Sequence, residues 1–152
     1  MPRSTGDIDI VIAPTASQLR TLIAQFPKSD HYADERQALE ALATGTQFNI
    51  IDFRSGWKVD FIIAEDALYG RVALGRRRVV EIAGVALWVA SPEDVILAKL
   101  RWAKLGGSER QLQDAAGIII AQHGALDFEY IERWVRELHL ELQWQSIRDP
   151  SG

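Results

Sequence analysis

The sequence predicts an α+β fold, with a sheet-rich part over residues 1–90 and a helical part over residues 91–145. Runs of alternating and β-branched residues dominate the first part, whereas helical spacing behind N-capping residues dominates the second. A chain of 152 residues has the length of one ordinary domain, so we expect residues 1–152 to form a single domain.

The first elements are predicted from local patterns. Residues 7–12 alternate and are rich in isoleucine, which is typical of a strand. Thr15 and Gln18 match a capping box, so a helix should follow and end at Pro27. A second short helix is expected over residues 34–43, with Gly45 just past its end.

Two hairpins are predicted next. The runs 48–54 and 57–63 flank Ser55-Gly56, which favours a two-residue turn. The runs 78–82 and 85–90 flank Ala83-Gly84 in the same way. Between the hairpins, the segment 64–75 fits either a short helix or a loop.

Three helices are predicted in the second part. Ser91-Pro92-Glu93-Asp94 supplies an N-cap, a first-turn proline and acidic residues that suit the helix dipole, and Gly106-Gly107 ends that helix. Ser108 and Gln111 match another capping box, for a helix to about Gln122. Asp127 should cap a last helix. Its expected apolar face comprises Phe128, Ile131, Trp134, Val135, Leu138 and Leu142.

Composition excludes several classes of protein. The absence of cysteine excludes disulfides and thiolate chemistry, and a net charge of −4 argues against a broad nucleic-acid-binding surface. No run approaches the roughly 18 apolar residues of a membrane span, and the first residues lack the apolar core of a signal peptide. We therefore expect a cytoplasmic protein without a membrane partner.

A pair of aspartates is the first feature that suggests chemistry. Asp7 and Asp9 are two residues apart on a predicted strand, so their carboxylates should lie side by side on one face. Two such charges repel unless a cation neutralises them, and paired hard oxygens suit magnesium bound through substrate phosphates. Pairs of this kind also occur at solvated strand ends.

A third aspartate strengthens the pattern. Asp60 interrupts an otherwise apolar strand, where aspartate is disfavoured. With Ser55-Gly56 as the turn, it should face the same side as Ile51 and Phe53. Its charge then needs an arginine, a helix N-terminus or a shared metal, unless the strand is an edge and Asp60 faces water.

Several strings resemble one family. Residues 3–12 resemble the segment of nucleotidyltransferases of the polymerase-beta-like superfamily that contains Arg-x-Thr-x-Asp-Ile-Asp, and the similarity is closest to the minimal, AbiEii toxin-like bacterial group. Residues 57–62 resemble the third-aspartate strand of that group, and residues 82–100 its next strand and lysine-bearing helix. Residues 108–114 are similar to the acidic segment that follows. The fold implied is a mixed sheet with flanking helices.

The resemblance implies metal-dependent transfer of a nucleoside monophosphate from a nucleoside triphosphate to a hydroxyl of RNA or protein. Two Mg²⁺ ions are expected with the bound nucleotide. Asp7 and Asp9 would bind both ions, and Asp60 would complete the ion that activates the attacking hydroxyl.

Four further residues are implied to bind substrate. Arg3 and Thr5 could contact phosphate, or belong to a flexible terminus. Lys58 shares the face of Asp60 and could pair with that carboxylate or with a phosphate. Lys99 would reach the site by resemblance, although a solvated helix lysine is equally compatible with the sequence.

One departure from the family leaves an alternative open. The Gly-Ser or Gly-Gly turn that precedes the paired aspartates, and begins a phosphate-cradling helix, does not occur in the six residues before Asp7. The alternative is a catalytically silent module that binds a protein partner, such as an antitoxin-like chain, or forms a homodimer through a sheet face left exposed.

Overall fold

The computed structural model describes residues 7–64, 67–122 and 124–148, so Arg3 and Thr5 lie outside the described residues. The fold is α+β, with a four-stranded mixed sheet and a separate two-stranded sheet. The chain divides into two compact units, residues 1–66 and 67–152. No helix in the described ranges has the length and apolar character needed to cross a membrane.

The elements follow one another in a strand-rich first unit and a mostly helical second unit. The first unit contains β1 (Asp7–Ile12), α1 (Ala16–Ala24), β2 (His31–Tyr32), α2 (Glu35–Thr44), β3 (Gln47–Asp52) and β4 (Lys58–Ile63). The second contains α3 (Leu68–Gly75), β5 (Arg78–Ile82), β6 (Val85–Val89), α4 (Pro92–Gly106), α5 (Glu109–Ala121), α6 (Phe128–Glu137) and α7 (Glu141–Arg148).

The sheet of the first unit has the strand order β1-β4-β3-β2. β1 runs parallel to β4, while β4 with β3 and β3 with β2 are antiparallel. The sheet is therefore mixed, and β1 and β2 are its edge strands among the described residues.

Alternation along the strands gives this sheet two unlike faces. One face packs against α1 and α2 and is apolar. Its buried core comprises Phe48, Ile50, Phe61 and Ile63 from the sheet, with Leu19, Ile23, Ala38 and Ala41 from the helices. The opposite face, here called the polar face, carries Asp7, Asp9 and Asp60 beside the apolar Val11, Ile51 and Ile62.

Local capping signals are confirmed in the first unit. Gln18 N–H donates to the Thr15 hydroxyl at 3.2 Å, and Thr15 N–H donates to the Gln18 side chain at 2.8 Å, which completes the capping box of α1. The Asp34 side chain caps α2. Gly45 ends that helix in the left-handed conformation that glycine adopts without strain.

The predicted two-residue turn at Ser55-Gly56 is wrong. β3 ends at Asp52, whose carboxylate accepts hydrogen bonds from the backbone N–H groups of Arg54 and Ser55 and from the Ser55 hydroxyl. These local bonds compete with the strand ladder and open a loop over residues 53–57. The pairing therefore shifts by two residues, which leaves every side chain on its predicted face.

The second unit is built around α4. Its fully buried residues Ile96, Leu97 and Leu100 contact apolar side chains from α5, α6 and α7. The segment left open between hairpins contains α3, which contributes Tyr69 to this core. The predicted β5–β6 hairpin is confirmed, with Ala83 and Gly84 both at positive φ, as a two-residue type I′ turn requires.

The predicted capping box at Ser108 is wrong. Ser108 is the N-cap residue of α5, but its side chain makes no capping hydrogen bond. The Gln111 side chain instead accepts a hydrogen bond from the Lys99 ammonium group of α4 at 3.2 Å. The contact between the two helices has replaced the local one.

The predicted last helix is interrupted. α6 ends at Glu137, and α7 begins at Glu141 after His139 at a φ of 55°. The break directs Leu140 into the core, where it is fully buried, and leaves Leu142 78% exposed. Burial of Leu140 in the core favours the interruption over a continuous helix.

Candidate functional site

The polar face of the first sheet brings the predicted aspartates together. In the parallel pairing of β1 with β4, Asp9 lies beside Asp60 and Asp7 lies beside Lys58. Asn49 on β3 lies on the other side of Asp60. We call Asp7, Asp9, Lys58 and Asp60 the acidic cluster.

Lys58 is the cation of the acidic cluster. Its ammonium nitrogen lies 3.0 Å from Asp60 Oδ2 and 3.9 Å from Asp7 Oδ1. The hydrogen bond and charge of Asp60 raise the pKa of the Lys58 ammonium group, and the charges of Asp7 and Asp9 act in the same direction. Of the two predicted roles for Lys58, the salt bridge with Asp60 is present in the structure.

Burial differs across the acidic cluster because β1 is an edge strand and β4 is central. The Asp60 side chain is only 15% exposed, whereas that of Asp7 is 55% exposed. A carboxylate this far from water requires compensation, which Lys58 provides. The alternative that Asp60 faces water from an edge strand does not hold, since β4 pairs with strands on both sides.

The donor set fits magnesium bound with a phosphate ligand. Within the described ranges, no group of three or more His, Cys, Asp and Glu side chains has the arrangement of a preformed metal cage. Magnesium, however, commonly uses one or two carboxylates, with phosphate oxygens and water completing an octahedron. Asp9 and Asp60, on adjacent strands about 4.8 Å apart, can supply that pair.

The charge of the acidic cluster also fits a divalent cation. Three carboxylates and one ammonium group leave two negative charges on these four side chains. Asp9 and Asp60 are directly adjacent on neighbouring strands, an arrangement that repels. A bound divalent cation would remove that repulsion.

Lys99 belongs to the second unit. Its ammonium nitrogen lies 3.3 Å from Asp114 Oδ2 and 3.2 Å from Gln111 Oε1, so α4 and α5 share a polar contact. Asp114 therefore orients the Lys99 ammonium group. The Lys99 side chain is largely buried, so it is not the solvated helix lysine that was the other interpretation.

A buried polar network at the start of α4 was missed at the level of sequence. Glu93 and Asp94 are buried, and both carboxylates form ion pairs with Arg76 at 3.4 Å. Tyr130 donates to Asp94 at 2.7 Å, and its ring lies 3.8 Å beneath the Arg76 guanidinium group. Two adjacent acidic residues at a helix start suggested only a dipole effect, because the partners come from distant parts of the chain.

The ionisation of this network follows from its contacts. Burial raises the pKa of Glu93, but the backbone N–H groups of Asp127 and Glu93, the Ser91 hydroxyl and the charge of Arg76 together hold it below its usual value. Burial, followed by the bond to Asp94, raises the pKa of Tyr130. Glu93 therefore stays charged and Tyr130 stays a donor near neutral pH.

Comparison with known proteins identified no relative of this chain. A scan against protein-family models found no match to the chain, and a search of curated proteins found none.

Proposed function

We propose that this chain is a nucleotidyltransferase-like protein that transfers a nucleoside monophosphate from a nucleoside triphosphate to a hydroxyl of RNA or protein. One observation carries the proposal. Asp9 and Asp60 lie side by side on adjacent parallel strands, with Asp7 two residues away on the same polar face. The resemblance of residues 3–12 and 57–62 to nucleotidyltransferase motifs supports the same conclusion.

Asp7, Asp9 and Asp60 are the residues that would hold Mg²⁺ in this proposal. When bound, magnesium would neutralise the triphosphate and help to activate the acceptor hydroxyl. The carboxylates orient toward one face, so a substrate approaching that face would meet all three. Asp60, the least exposed of them, is the most firmly positioned because its strand is central.

Lys58 has a second role in the proposal. In the absence of substrate its ammonium group neutralises Asp60. A cation bound by Asp60 would compete for that carboxylate and release Lys58, which could then contact a phosphate oxygen. Before the metal–nucleotide complex binds, Lys58 would reduce the repulsion between the carboxylates of the acidic cluster. After it binds, Lys58 would contact the substrate.

A second candidate function rests on the edge strand β1. Ile8 and Val11 are 47% and 50% exposed, and no described strand pairs with the outer edge of β1. An apolar, unpaired edge is a surface that proteins use to bind another chain. This observation favours the silent module, which would form a homodimer or bind an antitoxin-like partner along β1.

Calorimetric titration with each of the four nucleoside triphosphates, with and without magnesium, tests the two candidates. We expect magnesium-dependent binding by the wild type that the Asp7→Asn/Asp9→Asn variant loses. Absence of binding up to about a millimolar would contradict the transferase. In that case, sedimentation of the wild type against Val11→Lys would show whether β1 forms a dimer.

A further inference from the structure

The outer edge of β2, opposite the β1 edge, borders an open pocket. Its volume is about 690 Å³, within the range of small-ligand sites. The residues that matter for its chemistry are Lys28, His31, Tyr32, Arg36 and Phe53. We call these five the β2-edge pocket; none of them belongs to the acidic cluster.

Two aromatic residues flank this pocket, and backbone hydrogen bonds hold their main chains in place. Phe53 is 60% exposed, yet its N–H donates to the Asp30 carbonyl at 2.9 Å, within the loop organised by Asp52. Tyr32 is also exposed, and β2 pairs it with Ile51. Because the backbone of both residues is already ordered, stacking of a planar ligand would cost only the side-chain entropy of the two rings.

The cations of the pocket have no ion-pair partner in the described part of the chain. Lys28 and Arg36 form none, whereas the carboxylates that line the pocket are engaged elsewhere. Asp34 caps α2, and Glu35 pairs with Arg20 at 3.3 Å. Arg36 lies in the first turn of α2, where a positive charge opposes the helix dipole, so helix stability does not explain it.

The pocket and the acidic cluster are connected by one line across the sheet. Tyr32 pairs with Ile51, Ile51 with Lys58, and Lys58 lies beside Asp7. Residues paired in this way share a face, so Tyr32 lies on the same face as the acidic cluster. With about 4.8 Å between strands, three steps separate Tyr32 from Asp7 by roughly 14 Å.

We propose that the β2-edge pocket binds single-stranded RNA, with bases stacked on Phe53 and Tyr32 and phosphates near Lys28 and Arg36. Aromatic rings with adjacent cations are the combination that single strands require. A peptide acceptor would instead extend the sheet at β2, but β2 offers only two residues for pairing. A strand bound here can continue across the face toward Asp9 and Asp60, and its role as acceptor rests on the proposed function.

Fluorescence anisotropy with a labelled single-stranded RNA of about ten nucleotides tests the binding directly. It is measured without nucleotide or magnesium. We expect Phe53→Ala and Tyr32→Ala each to weaken binding about tenfold through loss of stacking. Trp88→Ala, which removes an exposed ring of the second unit, should bind as the wild type does.

Salt dependence tests the contribution of the cations. Lys28→Gln/Arg36→Gln should reduce the slope of log affinity against log salt by about 1.4, which corresponds to two phosphate contacts on a single strand. Wild-type protein that fails to bind RNA up to about a millimolar would overturn the inference, as would unchanged binding by both aromatic variants.

These outcomes separate the inference from the proposed function. If Phe53→Ala loses RNA binding but binds magnesium and nucleotide as the wild type does, the result supports the pocket as an independent site. If the wild type binds RNA but no nucleotide, the proposed transferase function is contradicted and RNA binding at the β2-edge pocket is supported. If the wild type binds nucleotide but no RNA, RNA binding at the pocket is contradicted and the proposed transferase function is supported.

Discussion

The Lys58 ammonium nitrogen lies 3.0 Å from Asp60 Oδ2, and this ion pair neutralises the least exposed carboxylate of the acidic cluster. Because the pair forms between residues two apart on one strand, it requires no other element to be in place. The pair thus belongs to the local structure of β4, whereas the approach of Asp7 and Asp9 depends on the parallel pairing of β1.

The Lys58–Asp60 pair gives a stability difference with a defined pH range. The pKa of Lys58 is raised in the folded protein, so its contribution is complete below the unfolded value, about 10.4, and is lost as pH rises through the folded value. We expect Lys58→Met to lower the free energy of unfolding by less than about 1 kcal/mol at pH 7, since the pair is partly exposed. Urea denaturation of the wild type and Lys58→Met at pH 7 and pH 12 checks this. A difference in the free energy of unfolding that persists at pH 12 would contradict the prediction.

Asp9→Asn should stabilise the protein when magnesium is absent. The substitution removes the repulsion between the directly adjacent carboxylates of Asp9 and Asp60, so we expect a gain of about 0.5 kcal/mol in EDTA. Magnesium should then raise the melting temperature of the wild type more than that of the variant. Glu40→Gln, an exposed acid on α2, is the control and should behave as the wild type does in both conditions.

Arg76→Met should lower the free energy of unfolding by about 3 kcal/mol, because Glu93 and Asp94 would remain buried without their shared cation. The neighbouring Arg77→Met removes an exposed arginine that contacts the Trp88 ring, and should cost less than about 1 kcal/mol. Chemical denaturation of both variants measures the difference. Equal losses would show that the buried network contributes nothing specific.

Glu93→Gln should show the opposite pH behaviour to Lys58→Met. The pKa of Glu93 is lowered on folding, so its contribution is complete above the unfolded value, about 4.3, and is lost as pH falls through the folded value. At pH 7 we expect a loss of about 2 kcal/mol, since hydrogen bonds to a buried charge are weakened. In chemical denaturation, the difference in the free energy of unfolding between wild type and Glu93→Gln should become smaller as the pH falls. A difference that does not change with pH would contradict the lowered pKa of Glu93.

Ala83→Asn should stabilise the β5–β6 hairpin. Ala83 has a φ of 51°, a conformation that costs most side chains about 1 kcal/mol and that asparagine adopts more readily. We expect a gain of up to about 1 kcal/mol in thermal unfolding. Ala86→Asn, on β6 of the same hairpin, lacks that backbone conformation and should give no gain.

Local sequence determined the elements whose signals lie within a few residues. Thr15 and Gln18 satisfy each other's backbone N–H groups, Asp34 and Gly45 bound α2, and Ala83-Gly84 closes a hairpin. Alternation also assigned the faces of β1 and β4 correctly, because a two-residue shift in register preserves the face. The α+β class and the shared face of Asp7 and Asp9 therefore follow from the sequence.

Tertiary structure decided everything that depends on a distant partner. The loop at residues 53–57 is an exception, because the Asp52 bonds that open it are local and nevertheless outweighed the turn signal of Ser55-Gly56. The Gln111 side chain binds Lys99 of α4 and does not cap its own helix. Burial of Leu140 in the core likewise interrupts the predicted last helix. Only the register of β1 on β4 placed Asp9 beside Asp60, since pairing between strands far apart in the chain is set by packing of the whole sheet rather than by neighbouring residues.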